Sequence, residues 1–309
     1  MTAAYRGPVP PDAPLPSGAP LRIAVDWARC EPAEGRIDEK ALEDHAAALD
    51  EAGARGLVAV VELHRLRHPS WLGDDFWSRL EAPVRFGGWA SAVGALLGGH
   101  CRRWVTVAEP NVAAVRSWLS GTSPPGRLLA VGDLVRSLDH LLAAHVVAHG
   151  ALHRSRPDAA VTTTVAPSPV YELGELLTDV LTARSAGVQR PELHGWLGER
   201  RRAWYAARPR PARTETVVRR IVNRAVPLDQ ALPRTVDAVW TGPHDRLLDD
   251  LGVELPPAGD GATDGIARDG SRPAPVLAAF GRAVEATVLG GPGRPGRGVA
   301  TAGRAAWPS

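Results

Sequence analysis

Long apolar runs and a signal-peptide core are both missing from this sequence. No uninterrupted apolar stretch has the length needed to span a membrane, and the N-terminal segment MTAAYRGPVPPDAPLPSGAP contains prolines where a signal peptide would have an apolar core. The sequence therefore predicts a protein that is neither exported nor bound to a membrane. We expect it in the cytoplasm.

Cysteine is scarce, and charge of one sign is not concentrated anywhere. Cys30 and Cys101 match no spacing of paired metal ligands and no disulfide framework, so we expect two reduced thiols. The formal net charge is only +2, because 34 acidic residues are interspersed among the arginines. This balance gives no support to a nucleic-acid partner, and no cofactor motif is present.

Two local clusters of polar residues, a histidine repeat and a run of arginines, could suggest a binding site. His145, His149 and His153 follow one another at a spacing of four, which can chelate zinc on a helix, but no carboxylate or cysteine nearby in the sequence completes the set. The sequence analysis therefore predicts no metal site. The arginines at 200–202, beside Trp204, are predicted to form a solvated helix face.

Composition divides the chain into three segments. Residues 1–20 are rich in proline and are predicted to form a disordered lead-in. Residues 21–255 alternate apolar and amphipathic stretches and are predicted to form one folded unit. Residues 256–309 are dominated by Gly, Pro, Ala, Arg and Asp, which predicts a mostly disordered tail.

The folded segment repeats a strand-then-helix pattern. Apolar runs such as GLVAVVEL and RRWVTVAE are followed by helices with one apolar face, for example Leu42, Ala46 and Leu49 after a cap at Asp38. This cadence predicts an α/β fold with a parallel sheet. The pattern alone leaves a doubly wound sheet and a closed barrel equally open.

Four motifs occur in an order that resembles one known family. RIAVDWARCEPAEG is similar to R-F-S-I-S-W-x-R-I-x-P-x-x-G, VVELHRLRHPSWL to T-L-x-H-W/F-x-x-P-x-W-L, and WVTVAEPN to W-x-T-x-N-E-P-N, while HLLAAH matches an L-L-x-A-H helix. These are motifs of glycoside hydrolase family 1, the β-glucosidase family. The resemblance implies a partial (β/α)8 TIM barrel that covers about the second to sixth strands.

The resemblance also implies a chemistry and a set of site residues. Retaining hydrolysis of a β-glycoside uses one carboxyl group to protonate the leaving oxygen and a second to attack the anomeric carbon. By position Glu109 corresponds to the acid/base. His64 and Trp71 correspond to sugar contacts, and Arg22 to the arginine that steadies the nucleophilic carboxylate.

Three departures from the family pattern bear on activity. Ala108 stands where the family has an asparagine whose amide holds the sugar 2-hydroxyl. The family's first strand is not apparent before Leu21. No T-E-N-G nucleophile motif follows residue 171, and the glutamates that could replace it are Glu172, Glu254 and Glu285.

Three functions remain open at this point. The first is a retaining β-glycosidase that hydrolyses O-glycosidic bonds in carbohydrate metabolism, with Glu109 as acid/base. The second is a catalytically inactive relative that binds a sugar or β-glycoside ligand. The third is an interaction scaffold that forms an oligomer or is completed by another chain, because an open barrel exposes strand edges.

Overall fold

The computed structural model describes residues 4–5, 20–168, 170–208, 235–240, 247 and 250. Five strands within them form one sheet in which every neighbouring pair is parallel. The strands are β1 (Ala4–Tyr5), β2 (Pro20–Ala24), β3 (Val58–His64), β4 (Arg103–Ala108) and β5 (Ala160–Thr164).

The order of these strands decides between the two architectures. Each strand lies beside the strand that precedes it in the chain, from β1 to β5. A doubly wound sheet reverses its order at a switch point, whereas a (β/α)8 barrel adds each new strand on the same side. The fold is therefore α/β and forms part of a (β/α)8 barrel, as the sequence predicted.

Helices connect the strands at the predicted places. They are α1 (Trp27–Cys30), α2 (Glu39–Ala54), α3 (Ala82–Leu97), α4 (Pro110–Ala114), α5 (Val131–Ser155), α6 (Glu175–Ser185), α7 (Arg190–Ala206) and α8 (Thr235–Val239). Asp38 caps α2 as predicted, since its carboxylate accepts a hydrogen bond from Ala41 N at 3.0 Å. None of the described helices is both long and apolar enough to cross a membrane.

Strand alternation gives the sheet two different faces. On β2, Leu21 and Ile23 belong to the main apolar core, and Arg22 between them points to the opposite side. The same alternation on β3 places Val61 in the main core and Glu62 opposite it. We call the side of the main core the outer face and the side of Arg22 and Glu62 the inner face.

The outer face is covered by α2, α3 and α5. Trp27 stacks on Trp89 with ring centroids 5.7 Å apart, and Phe86 meets Trp27 edge-on. Helices α3 and α5 approach so closely that a β-carbon on Gly87 would overlap the side chain of Val147. Two of the predicted site residues, His64 and Glu109, lie at the carboxyl ends of β3 and β4.

The terminal segments are only partly described. The two residues of β1 pair with Arg22 and Ile23, so a short strand occupies the place where the sequence analysis expected none before Leu21. The rest of the predicted lead-in before Pro20 lies outside the described residues, as does the predicted tail at 256–309. The boundaries proposed at residues 20 and 255 remain predictions.

Candidate active site

Glu109 lies immediately after the carboxyl end of β4. Its backbone is left-handed, with φ 56° and ψ 56°, a conformation that a non-glycine residue rarely adopts and that is often associated with function. The backbone N–H donates to Thr164 O on the next strand at 2.8 Å, and the backbone oxygen accepts from Val112 N at 3.0 Å. These bonds hold Glu109 at the rim of the sheet, with one fifth of its side chain exposed.

Arg65 lies beside the Glu109 carboxylate. Its Nη2 is 3.5 Å from Glu109 Oε2, and its Nη1 is 3.7 Å from Glu62 Oε2. The arginine comes directly after β3, and its side chain is mostly buried. A single guanidinium therefore connects the carboxylate at the end of β4 with a carboxylate inside β3.

Glu62 is in turn paired with Arg22. Arg22 Nη1 donates to Glu62 Oε1 at 2.6 Å, and both side chains are buried, at 6% and 2% exposure. Glu62 lies level with Val105 on β4, so it is deeper in the sheet than Glu109. The result is a continuous row of alternating charges, Arg22, Glu62, Arg65 and Glu109, which we call the charge row.

The charge row is compatible with burial because each inner charge has a partner of opposite sign. A buried carboxylate without a cation is costly, and charge-assisted hydrogen bonds to guanidinium groups offset that cost. The resemblance implied that Arg22 steadies a nucleophilic carboxylate. Within the described residues, Arg22 binds the carboxylate of Glu62 on the neighbouring strand, and the role that the resemblance implied for it remains a prediction.

The inner face next to the charge row is apolar and built from small side chains. Val60, Val105 and Ala108 form a separate buried cluster. Ala108, at 1% exposure, therefore presents a methyl group where the family motif has an amide. A sugar hydroxyl at this point would find no hydrogen-bonding partner on Ala108.

Asn111, the last residue of the AEPN motif, holds the site together. Its Nδ2 donates to Ala166 O at 2.8 Å and to Leu173 O at 2.9 Å, and its Oδ1 accepts from Ala166 N at 3.1 Å. Because the side chain is fully buried, these bonds fix α4 against the segment that follows β5. Asn111 thus positions the backbone around Glu109.

His64 does not lie beside Glu109 among the described contacts. Its ring packs against Trp77 at 4.8 Å and against Phe86 at 6.1 Å, and its Nδ1 is 3.0 Å from Arg67 O. Burial in this apolar surrounding lowers the pKa of His64 to about 3. His64 therefore lies in an aromatic cluster, and the sugar contact that the resemblance implied for it remains a prediction.

Trp71 contacts the loop that follows β2. Its indole Nε1 donates to Glu31 O at 2.9 Å, and the Glu31 carboxylate accepts from Trp27 Nε1 at 2.7 Å and from Gly35 N at 3.0 Å. The loop after β2 and the loop after β3 are thereby joined. The predicted sugar contact of Trp71 remains a prediction beside this structural role.

Arg65 is the residue that the sequence analysis missed. Counting back from Pro69 in the third-strand motif T-L-x-H-W/F-x-x-P-x-W-L without a gap places the family's histidine at Arg65, and its threonine at Glu62. The neighbouring residue His64 was assigned to this position because it is itself a histidine. Strict motif register would have indicated that an arginine and a glutamate have replaced the family's neutral pair.

Glu172, a candidate nucleophile, lies in a different cluster. Its carboxylate is 2.7 Å from Arg201 Nε and accepts from Tyr205 OH at 3.2 Å, both on α7. Arg200 on the same helix pairs with Asp179 at 3.0 Å. The arginines at 200 and 201 thus neutralise buried carboxylates. The candidate nucleophiles at 254 and 285 lie outside the described residues.

The sequence was compared with protein families and with known proteins. Residues 19–200 match the model of glycosyl hydrolase family 1. The putative β-glucosidase 6 of Arabidopsis thaliana is 26% identical over 135 residues, which make up 43% of this chain and 36% of the relative. The thermostable β-glucosidase B of Thermobispora bispora is 31% identical over 153 residues, or 49% of this chain and 31% of the relative.

Solved structures give a similar partial match. The β-glucosidase of Thermotoga maritima in complex with glucoimidazole is 22% identical, with a TM-score of 0.46, over 48% of this chain and 34% of that chain. The chain thus spans about a third of the length of these relatives.

Proposed function

This chain belongs to glycosyl hydrolase family 1, and we propose that it holds a β-linked sugar at Glu109 but turns it over slowly or not at all. The observation that carries the proposal is the charge row, which connects Glu109 through Arg65 to Glu62 and Arg22. Glu109 keeps the place of the acid/base at the end of its strand. The groups around it have changed from those of the family motif.

A retaining reaction needs a second carboxylate that is free to attack. The two carboxyl groups of such an enzyme are about 5 Å apart and lie on opposite faces of the scissile bond. Glu62 is the carboxylate that Arg65 connects to Glu109, but it is buried and bound to Arg22 at 2.6 Å. An attack by Glu62 on a sugar would require breaking this ion pair.

The apolar surface at Ala108 also favours slow turnover. Hydrogen bonds to the sugar 2-hydroxyl that strengthen in the transition state contribute several kcal/mol to glycosidase catalysis. Ala108 has no group that could make such a bond. Arg65 can donate to sugar hydroxyls from its fixed fork of N–H groups, which supports binding more than reaction.

Hydrolysis is the second candidate function, because family membership favours it. It requires a nucleophile, for which Glu172, Glu254 and Glu285 are the candidates, and Glu172 is paired with Arg201 and Tyr205. A cytoplasmic location fits both functions, because reduced cysteines are typical of cytoplasmic proteins. Cys30 and Cys101 are both free and buried, and burial raises the pKa of the Cys30 thiol to about 12.

Binding is tested by the thermal unfolding midpoint of the purified protein with and without methyl β-glucoside and cellobiose. We expect the β-glucoside to raise the midpoint, since a ligand that binds only the folded state stabilises it. Arg65→Met keeps the length of the stem without its N–H donors, and it should abolish the rise. Methyl α-glucoside is the matched control ligand.

The proposal of sugar binding fails if no sugar moves the midpoint of the wild-type protein. It also fails if Arg65→Met and the wild-type protein respond equally, because the sugar would then bind elsewhere. An oligomer or a complementing chain, the third function left open above, would appear in the same samples as a mass above that of one chain in light scattering.

A further inference from the structure

A second cluster of polar side chains lies on the helical side of the sheet. His149 and His153 are one turn apart on α5, and the Asp250 carboxylate lies between them. Oδ2 of Asp250 is 2.9 Å from Nε2 of each histidine. The sequence pattern showed the histidines but not this carboxylate, which comes from about 100 residues further along the chain.

We propose that His149, His153 and Asp250 bind a divalent transition metal ion of the zinc class. The three ligand atoms lie within 4.8 Å of one another. Two imidazole nitrogens with one carboxylate oxygen form a ligand set that zinc accepts, with a fourth position left for water or another ligand. This proposal is independent of the sugar site.

The ligand atoms, which lie within 4.8 Å of one another, must shift to hold an ion. Zinc bonds of about 2.0–2.2 Å in a tetrahedral site place ligand atoms roughly 3.3 Å apart. The present separations of 2.9 Å from Asp250 to each histidine are slightly shorter. Both imidazoles would bind through Nε2, so the Nε2 proton of each ring moves to Nδ1 or to solvent when the metal enters.

The three proposed ligands are mostly buried, which distinguishes them from a group of polar side chains on the surface. The side chains of His149, Asp250 and His153 are only 5%, 10% and 14% exposed. His145, the first histidine of the repeat, is not part of this group, and its Nδ1 lies 2.7 Å from Thr106 Oγ1. The proposed ligands are therefore two histidines and one aspartate, and differ from the set of three histidines that the spacing alone suggests.

The test is a zinc titration of the full chain after treatment with EDTA, read by competition with a chromogenic chelator. We expect one equivalent to bind, and His153→Gln and Asp250→Asn each to weaken binding at least tenfold. His100→Gln is the matched control, because His100 forms a surface pair with Asp50 at 2.7 Å and has no third ligand there among the described residues. It should bind zinc like the wild-type protein.

Cobalt supplies a readout on the wild-type protein that does not depend on whether the variants fold. Co2+ in this site should give the strong visible absorption of a tetrahedral complex, and zinc should displace it. No zinc binding by the wild-type protein would overturn the proposal. Equal binding by wild type, His153→Gln and Asp250→Asn, or a weak octahedral cobalt spectrum, would overturn it too.

Discussion

On the outer face of the sheet, Trp27, Phe86 and Trp89 are packed among apolar helices, whereas on the inner face Arg22 and Glu62 bury opposite charges against each other. The outer contacts are nondirectional and many, so each tolerates some change of shape. The inner contacts are few, and each leaves an uncompensated charge when its partner is removed. The two faces should therefore respond very differently to conservative substitutions.

The same contrast bears on function. The outer face carries the main apolar core, in which the helices pack against the strands of the barrel. The inner face carries the changes from the family motif, with Ala108, Glu62 and Arg65 at positions where the motif has asparagine, threonine and histidine. We infer that the fold has been kept while the chemistry of the site has changed.

The largest effect is expected from Glu62→Gln. This substitution keeps the shape of the side chain but leaves the buried Arg22 and Arg65 without the carboxylate they share. We expect a loss of about 3–5 kcal/mol in the free energy of unfolding, the range for breaking a buried ion pair on one side. Urea denaturation at neutral pH measures it.

A double variant shows whether the loss comes from the charge. Arg22→Met with Glu62→Leu removes both partners, and we expect it to recover most of the stability that Glu62→Gln loses, since apolar residues often replace a buried pair without cost. A loss below about 1 kcal/mol for Glu62→Gln would contradict the distinction between the two faces.

Acid should destabilise the folded protein through His64, which packs against Phe86 and Trp77. Burial lowers its folded-state pKa to about 3, while the unfolded chain titrates near 6.5. The neutral ring thus contributes its full stability above pH 6.5, and this contribution is lost as the pH falls from 6.5 towards 3. The slope for this one group is at most about 1.4 kcal/mol per pH unit.

The check on this effect is the free energy of unfolding of wild type and His64→Gln between pH 7 and pH 4. We expect the two curves to converge as the pH falls, because the variant has no ring to protonate. Curves that stay parallel over this range would mean that His64 is not held neutral in the folded protein.

The smallest effect is expected from Phe86→Leu on the outer face. Phe86 is fully buried against Trp27 and Trp77, but leucine keeps an apolar side chain of similar length. Leucine is smaller than phenylalanine, so the exchange loses ring contacts and leaves a small cavity, and we expect a cost of about 1–2 kcal/mol. A loss as large as that of Glu62→Gln, measured by the same denaturation, would remove the contrast between the two faces.

The outer face was predictable from the sequence because its signals are local. The period of Leu42, Ala46 and Leu49 predicted α2, and the Asp38 cap predicted where it begins. The inner face was not predictable, because its partners are far apart in the chain. Arg22 and Glu62 are 40 residues apart, and Arg65 and Glu109 are 44 apart.

The site shows the same limit at the level of single residues. Glu109 was placed correctly at the end of its strand by the AEPN motif, which is short and directly follows an apolar run. His64 was assigned by residue type alone, and Arg65, one residue further along the motif, was not considered. Asp250 could not be connected with α5, because no local pattern relates it to His149.

We infer that the charge row has replaced the catalytic arrangement around Glu109. The most direct test is the release of nitrophenol from a panel of aryl β-glycosides by folded wild-type protein and by Glu109→Gln. We expect rates for both proteins that are indistinguishable from each other and close to that of buffer. Turnover by the wild-type protein that falls by two or more orders of magnitude in Glu109→Gln would contradict this inference, and would mean that a nucleophile outside the charge row acts on the sugar.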